Sequence, residues 1–263
     1  MFTRLFTPRW EHADPRIRRK ALESGAAPPE AVAKAAREDE DPEVRRCAME
    51  LLDDLALLAA LFASEPVPDV REVAGRRQRA LLAAPLQTGP PLELRLETLR
   101  QVTTAELGVF LVRQAQVAEI RVAALEQVQE TAVLCDVAIG DAVAAVRRAA
   151  LERIEDPQAW ETIARETRNR DKQVSRLARE RLDAWQQARS DREHAERLCR
   201  EMEALQAGNL QAGDAVRIRR LDAQWEPLES ASPAQLSARY QRCLLYTSPS
   251  PRDRTHHRVC RHL

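Results

Sequence analysis

The sequence predicts an all-α fold: a right-handed α-solenoid of short helix pairs, followed by a long helix and a helical C-terminal region. Three observations lead there. Hydrophobic residues make up 44% of the chain, mostly Ala, Leu and Val, with charged residues at 31% and aromatics at only 4%. Ala, Leu, Arg and Glu are among the strongest helix formers, and so few large rings suit thin layers that each bury a little surface against a neighbour. A short pattern returns at a nearly constant interval from Ile17 to Ala178. Polar and apolar residues nowhere alternate with period two over a useful length, so no sheet is expected.

The repeated pattern is a β-branched residue or Leu, then Arg, with a small residue four positions after the first. Its copies are Ile17-Arg18 with Ala21, Val44-Arg45 with Ala48, Val70-Arg71 with Ala74, Leu94-Arg95 with Thr98, Ile120-Arg121 with Ala124, and Val146-Arg147 with Ala150. In a seventh, Val174 with Ala178, Ser175 replaces the arginine. The intervals are 27, 26, 24, 26, 26 and 28 residues, room for two helices of about 10 residues and two tight turns. Positions four apart share one helix face, so the aliphatic and small residues face the same side and allow close approach. Leu52, Val102, Val128, Ile154 and Leu182, eight after the first position, extend this apolar stripe.

Helix starts are legible. Asp14-Pro15, Asp41-Pro42 and Asp156-Pro157 place a capping residue before a proline at the first helical position, and Asp171 caps the seventh copy. Between copies, helices are expected over Pro29 to Arg37, Asp54 to Phe62, Thr104 to Ala115 and Thr131 to Ile139, with breakers at Pro66-Val67-Pro68 and Gly89-Pro90-Pro91.

The segments Asp14 to Ala21, Asp41 to Ala48 and Ala145 to Ala150 resemble short HEAT repeats, and the resemblance covers roughly Asp14 to Leu182. It implies that the second helix of each pair lines a concave face. It also implies an Asp–Arg ladder between repeats. Only copies one, two and seven keep an Asp three before the aliphatic residue, so on that pattern the ladder is incomplete.

No Pro or Gly occurs from Lys172 to Gln206, which predicts one helix of about 50 Å. Val174, Leu177, Trp185, Ala188, Ala195, Leu198, Met202 and Leu205 form a narrow seam along it, and Glu193 with Arg197 and Glu196 with Arg200 are four-apart pairs. This helix either packs on the solenoid end or forms a coiled-coil arm that dimerises. After a turn at Gly208 to Gly213, a helix runs from Asp214 through Leu221 and Trp225 to Pro227, and Ser232-Pro233 starts another toward Tyr240. The opening Leu5 to Pro15, together with Leu221 to Leu228, Leu236 and Tyr240, is similar to bacterial proteins carrying the domain of unknown function 349. Those are multi-helix proteins, some loosely labelled DNA-repair-associated ATPases.

Residues Cys243 to Asp253 break the composition and look like the translated product of a transposase sequencing adaptor. The chain accordingly divides into a repeat domain over 1–183, a long helix with the start of a second helical domain over 184–242, and an adaptor-derived tail over 243–263. The natural protein is then expected to continue past Arg242. The metal-like cluster His256, His257, Cys260 and His262 belongs to that tail and is discarded.

The formal net charge is +0, so bulk charge favours neither nucleic acid nor membrane. Pro8, Arg9 and Glu11 interrupt any secretory signal, no run approaches the roughly 20 apolar residues of a spanning helix, and the cysteines form no ligand-like pair. A cytoplasmic location is expected. Lysines occur only at Lys20, Lys34 and Lys172, none after Gly, so there is no Walker A loop. No catalytic, metal or cofactor-binding residue is expected. Cys47 and Cys135 read as small core residues, His12 as a terminal cap contact, and Glu38 to Asp41 as a charged turn.

The remaining candidates are the once-per-repeat arginines Arg18, Arg45, Arg71, Arg95, Arg121 and Arg147, which a solenoid would align in a row. They either pair with carboxylates between repeats or form an anion-binding stripe for phosphate backbone. The expected function is a scaffold whose concave face binds a protein partner; the alternative is nucleic-acid association through the arginine row. A remoter third is a helical-repeat enzyme.

Overall fold

The computed structural model describes residues 8–101, 104–208, 213–230 and 232–247. Among them there are fourteen α-helices, two single 3-10 turns and no strand. The fold is all-α, as the composition predicts. The chain separates into two compact units, 1–178 and 179–263, and the division falls within the helix that also contains position 183.

The first unit contains α1 (Pro15–Glu23), α2 (Pro29–Glu38), α3 (Pro42–Leu51), α4 (Leu55–Ser64), α5 (Pro68–Ala83), α6 (Leu92–Gln101), α7 (Ala105–Gln114), α8 (Ala118–Leu125), α9 (Thr131–Gly140), α10 (Ala144–Glu152) and α11 (Pro157–Glu166). The carboxylates of Asp14, Asp41, Asp54 and Asp156 each accept an N–H from the first turn of α1, α3, α4 and α11, satisfying donors that have no partner within the helix. Proline occupies the first helical position after three of these caps.

Consecutive helices pack as pairs: α2 on α3, α4 on α5, α7 on α8, and α9 on α10. The pairs stack in two rows, with α1, α3, α5 and α7 in contact successively along one, and α2, α4, α6, α8 and α10 along the other. One continuous apolar core runs from Leu22 to Ala178. The small residues Ala21, Ala48, Ala74, Thr98, Ala124, Ala150 and Ala178 are all buried, as are Val44, Val70, Ile120, Val146 and Val174.

Copy four departs from the pattern. Leu94 is 43% exposed while Arg95 is fully buried, so α6 turns its arginine inward where the other copies turn their aliphatic residue. The cause lies just before it. No separate helix intervenes between copies three and four: α5 runs for 16 residues and is followed by a proline-bearing loop whose carbonyls need donors. The apolar residues eight after the first position are also placed differently. Leu52, Val128 and Ile154 are buried, but they follow the ends of α3, α8 and α10 and plug the core from the connections. Val102 lies outside the described residues.

Helix α12 (Lys172–Ala207) is a single helix of 36 residues. Its expected seam is not continuous. Val174 and Ala178 are buried in the first unit's core, and Ala195, Leu198, Met202 and Leu205 in the second unit's, but Asp183 to Ser190 are exposed, Trp185 and Ala188 included. The ion pairs also take the other register, Arg189–Glu193 at 2.9 Å and Arg192–Glu196 at 3.2 Å, because each glutamate has an arginine four residues on both sides.

The second unit's core joins the end of α12 to α13 (Asp214–Trp225) and α14 (Ala234–Thr247). A 3-10 turn, Glu226–Leu228, holds Pro227 where the helix was expected to break. Despite the low aromatic content, two rings stand at the centre: Trp225 and Tyr240 stack with centroids 4.1 Å apart and planes 4° from parallel. Residues 209–212 of the expected Gly208–Gly213 turn lie outside the described residues, as do Leu5 to Thr7 and the tail from 248, with His256, His257, Cys260 and His262.

Candidate functional site

Each repeat arginine sits near the start of its helix. Helical side chains tilt toward the N-terminus, so a long guanidinium there reaches back to the preceding connection. Five of the six donate to the carbonyl six residues earlier: Arg18 to His12 (2.9 Å), Arg45 to Asp39 (2.8 Å), Arg71 to Glu65 (2.9 Å), Arg121 to Ala115 (2.9 Å) and Arg147 to Asp141 (2.6 Å).

The same guanidiniums reach forward to an acid in the next connection. Arg18 forms a two-pronged pair with Asp39 (2.6 and 2.8 Å), Arg45 with Glu65 (2.8 and 2.9 Å) and Arg121 with Asp141 (2.8 and 3.0 Å). Arg147 directs two donors to one oxygen of Asp171 (2.6 and 2.9 Å). Asp39, Glu65 and Asp141 therefore each hold two arginines, one on the carboxylate and the next on the carbonyl. Their carboxylates also accept the N–H of Asp41, Val67 and Val143, two residues on. All four pairs are mostly buried. The hydrogen bond from Arg45 holds Glu65 below the ordinary carboxyl range against the opposing effect of burial. Burial pushes Asp171 up, but the Val174 N–H and Arg147 outweigh it and hold it low.

This is a ladder, built from acids other than those the sequence pattern pointed to. Asp14 and Asp41 cap their helices, and only Asp171 combines cap and rung. The working acids Asp39, Glu65 and Asp141 stand five residues before the next copy's aliphatic residue. That recurring offset was available in the sequence.

Two arginines have no acid among the described residues. The positions that would serve Arg71 fall in Gly89-Pro90-Pro91, and it bonds only the carbonyls of Glu65 and Pro66. For Arg95 the corresponding residue is Ala115. Its buried guanidinium instead donates to the carbonyls of Pro90 (2.7 Å), Pro85 (3.0 Å) and Ala84, and burial pushes its pKa below the ordinary value. In copy seven, the buried Ser175 hydroxyl donates to the Ala164 carbonyl at 2.7 Å.

The six do not form one row. Arg18, Arg45 and Arg71 are linked through Asp39 and Glu65 at the start of α5. Arg95 holds Ala84 and Pro85 just past its end, and Gln116 N–H donates to the Ala83 carbonyl at 2.9 Å, bringing the connection that carries Arg121 to that same end. Sixteen residues separate the two ends, about 24 Å of helix.

The repeat domain's outward chemistry lies elsewhere. A groove of about 480 Å³ follows one face of α7, lined by Ala105, Glu106, Val109, Phe110, Arg113, Gln114 and, before α9, Glu130. Val109 and Phe110 are half-buried and pack against the core. The Arg79 guanidinium lies 5.9 Å from the Phe110 ring centroid.

The other singled-out residues are structural. His12 Nδ1 accepts the Asp14 N–H at 3.0 Å beside the start of α1. Burial pushes the Cys47 and Cys135 thiols up, away from the thiolate a nucleophile needs. Asp39 in the charged turn is a ladder acid. No family model matches the chain, and neither does any curated protein or solved structure.

Proposed function

We propose that this chain is a HEAT-like helical-repeat scaffold, related to the proteins with domain of unknown function 349, that holds a protein partner in the bacterial cytoplasm without catalysing a reaction. One observation carries the reading. The repeat arginines are spent inside the stack, on connection carbonyls and acids, and the groove along α7 is left facing outward with apolar residues between charged ones. A rigid stack with an apolar groove suits holding another chain. The Arg–acid ladder adds support for the HEAT-like reading. No helix among the described residues is long and apolar enough to cross a membrane.

The test is affinity capture with the whole chain from an extract of the organism that encodes it, followed by cross-linking and mapping of the linked residues. Reproducible cross-links to one partner, clustered on α7 and α9, support the scaffold. Their absence across growth conditions counts against it. The nucleic-acid reading of the arginine row finds no geometric support, since a phosphate backbone would have to displace bonds that these guanidiniums already make at two separate edges.

A further inference from the structure

We infer that the α7 groove takes a helical peptide segment carrying a positive charge at one end and a negative charge two turns away, with apolar residues between. This deepens the scaffold proposal and rests on it. The argument is charge complementarity along one helix face. Glu106 lies in the first turn of α7, and Glu130 adds a second carboxylate to the groove lining from the start of α9. Arg113 lies in the last turn. Seven residues separate Glu106 from Arg113, about 10 Å along the axis, and Val109 and Phe110 occupy the stretch between.

Among the described residues these charges are unspent. Glu106, Glu130 and Arg113 are exposed, and none joins the ion pairs or side-chain hydrogen bonds that engage Arg45, Arg121 or Arg147. Arg79 closes over the Phe110 ring, its guanidinium 5.9 Å from the centroid. The lining is thus ordered acid, apolar, base. A complementary helix presents Lys or Arg at one position, apolar residues three and four later, and Asp or Glu at the seventh, which is the spacing by which an amphipathic helix seats in a groove. A uniformly acidic or uniformly basic helix meets one like-charged end. Rim charges act mainly on selectivity, so the signature is a ranking among peptides.

The experiment measures fluorescence anisotropy of three labelled, stapled helical peptides with the whole chain. All carry Leu at i+3 and i+4. One has Lys at i and Glu at i+7, one has Lys at both, and one has Glu at both. The first is expected to bind about tenfold more tightly than either of the others. Arg113→Glu is expected to make the two-lysine peptide the tightest of the three, and Phe110→Ala to weaken all three. Arg113 is exposed, so its reversal leaves the fold in place, with an unchanged circular dichroism melt as control. Equal affinities for the three peptides, or a ranking that Arg113→Glu does not alter, overturn the assignment. A captured partner whose retention is insensitive to Arg113→Glu also overturns it while leaving the scaffold reading standing.

Discussion

The Arg95 guanidinium occupies the space that a side chain at Gly89 would fill. A Cβ added at position 89 would come within 2.7 Å of Arg95 Cζ and 2.9 Å of Ala84 Cβ. The second atom has no freedom to retreat. Gly89→Ala is therefore expected to lower stability by about 1–3 kcal/mol, read as a shift of the urea midpoint with an unchanged slope.

Arg95 and Arg71 both lack an acid, yet their removal has unequal consequences. Arg95→Leu leaves the Ala84 and Pro90 carbonyls without their donor and takes one of two donors from the Pro85 carbonyl, which keeps the Gly89 N–H, so a loss of about 2–3 kcal/mol is expected. Arg71→Leu gives up partly exposed bonds and costs about 1 kcal/mol or less. Urea melts of the two variants side by side test the difference, and equal losses would contradict the burial of Arg95.

The ladder imposes a pH dependence. Glu65 is held low by its bond from Arg45, so the folded state favours the ionised form. Its contribution is complete above the unfolded-state value, about 4.3, and is lost as the pH falls through the lower folded value. Asp171 acts in the same direction. Melting temperatures of Glu65→Gln are expected below those of the parent at neutral pH, with the two profiles converging as the pH drops from about 5 to 3. Parallel profiles throughout would show that the ionisation of Glu65 contributes nothing to stability.

In the second unit, Tyr240 is fully buried and its hydroxyl finds no hydrogen-bond partner among the described residues. Burial pushes the phenol's pKa above its ordinary value. A buried polar group left unpaired is costly, so Tyr240→Phe keeps the stack on Trp225 and is expected to raise stability by about 1 kcal/mol. A destabilised variant would reveal a partner for the hydroxyl, such as an internal water.

Much of the fold was legible because its signals are local. Asp14, Asp41 and Asp156 announce their helices through a capping side chain and a following proline, and Ala48, Ala124 and Ala150 mark close helix approach by their size. Arg45 and Arg121 were legible as once-per-repeat residues whose pairing with carboxylates was one of two readings. Which acid each one takes was harder, because Asp41 stands only two residues after the right answer, Asp39, and is spent on its own helix. The inward turn of Arg95 depends on how α5 ends, and sequence spacing records only that the interval there is the shortest. The bare middle of α12 was hidden because Trp185 and Ala188 match the apolar spacing of residues that do find neighbours.

A stack that grows by copying whole helix pairs keeps every connection of one kind on the same edge. Moving the ladder to the other edge takes a change of a single helix, and α5 is where that change sits: copies three and four follow one another without a helix between them. The molecule thus carries a seam. Whole pairs inserted before α5 would lengthen the Arg18–Arg71 run and leave the other untouched; pairs inserted after α6 would lengthen the Arg95–Arg147 run. Each run is a separate register for duplication, and α5 is the splice that keeps them independent.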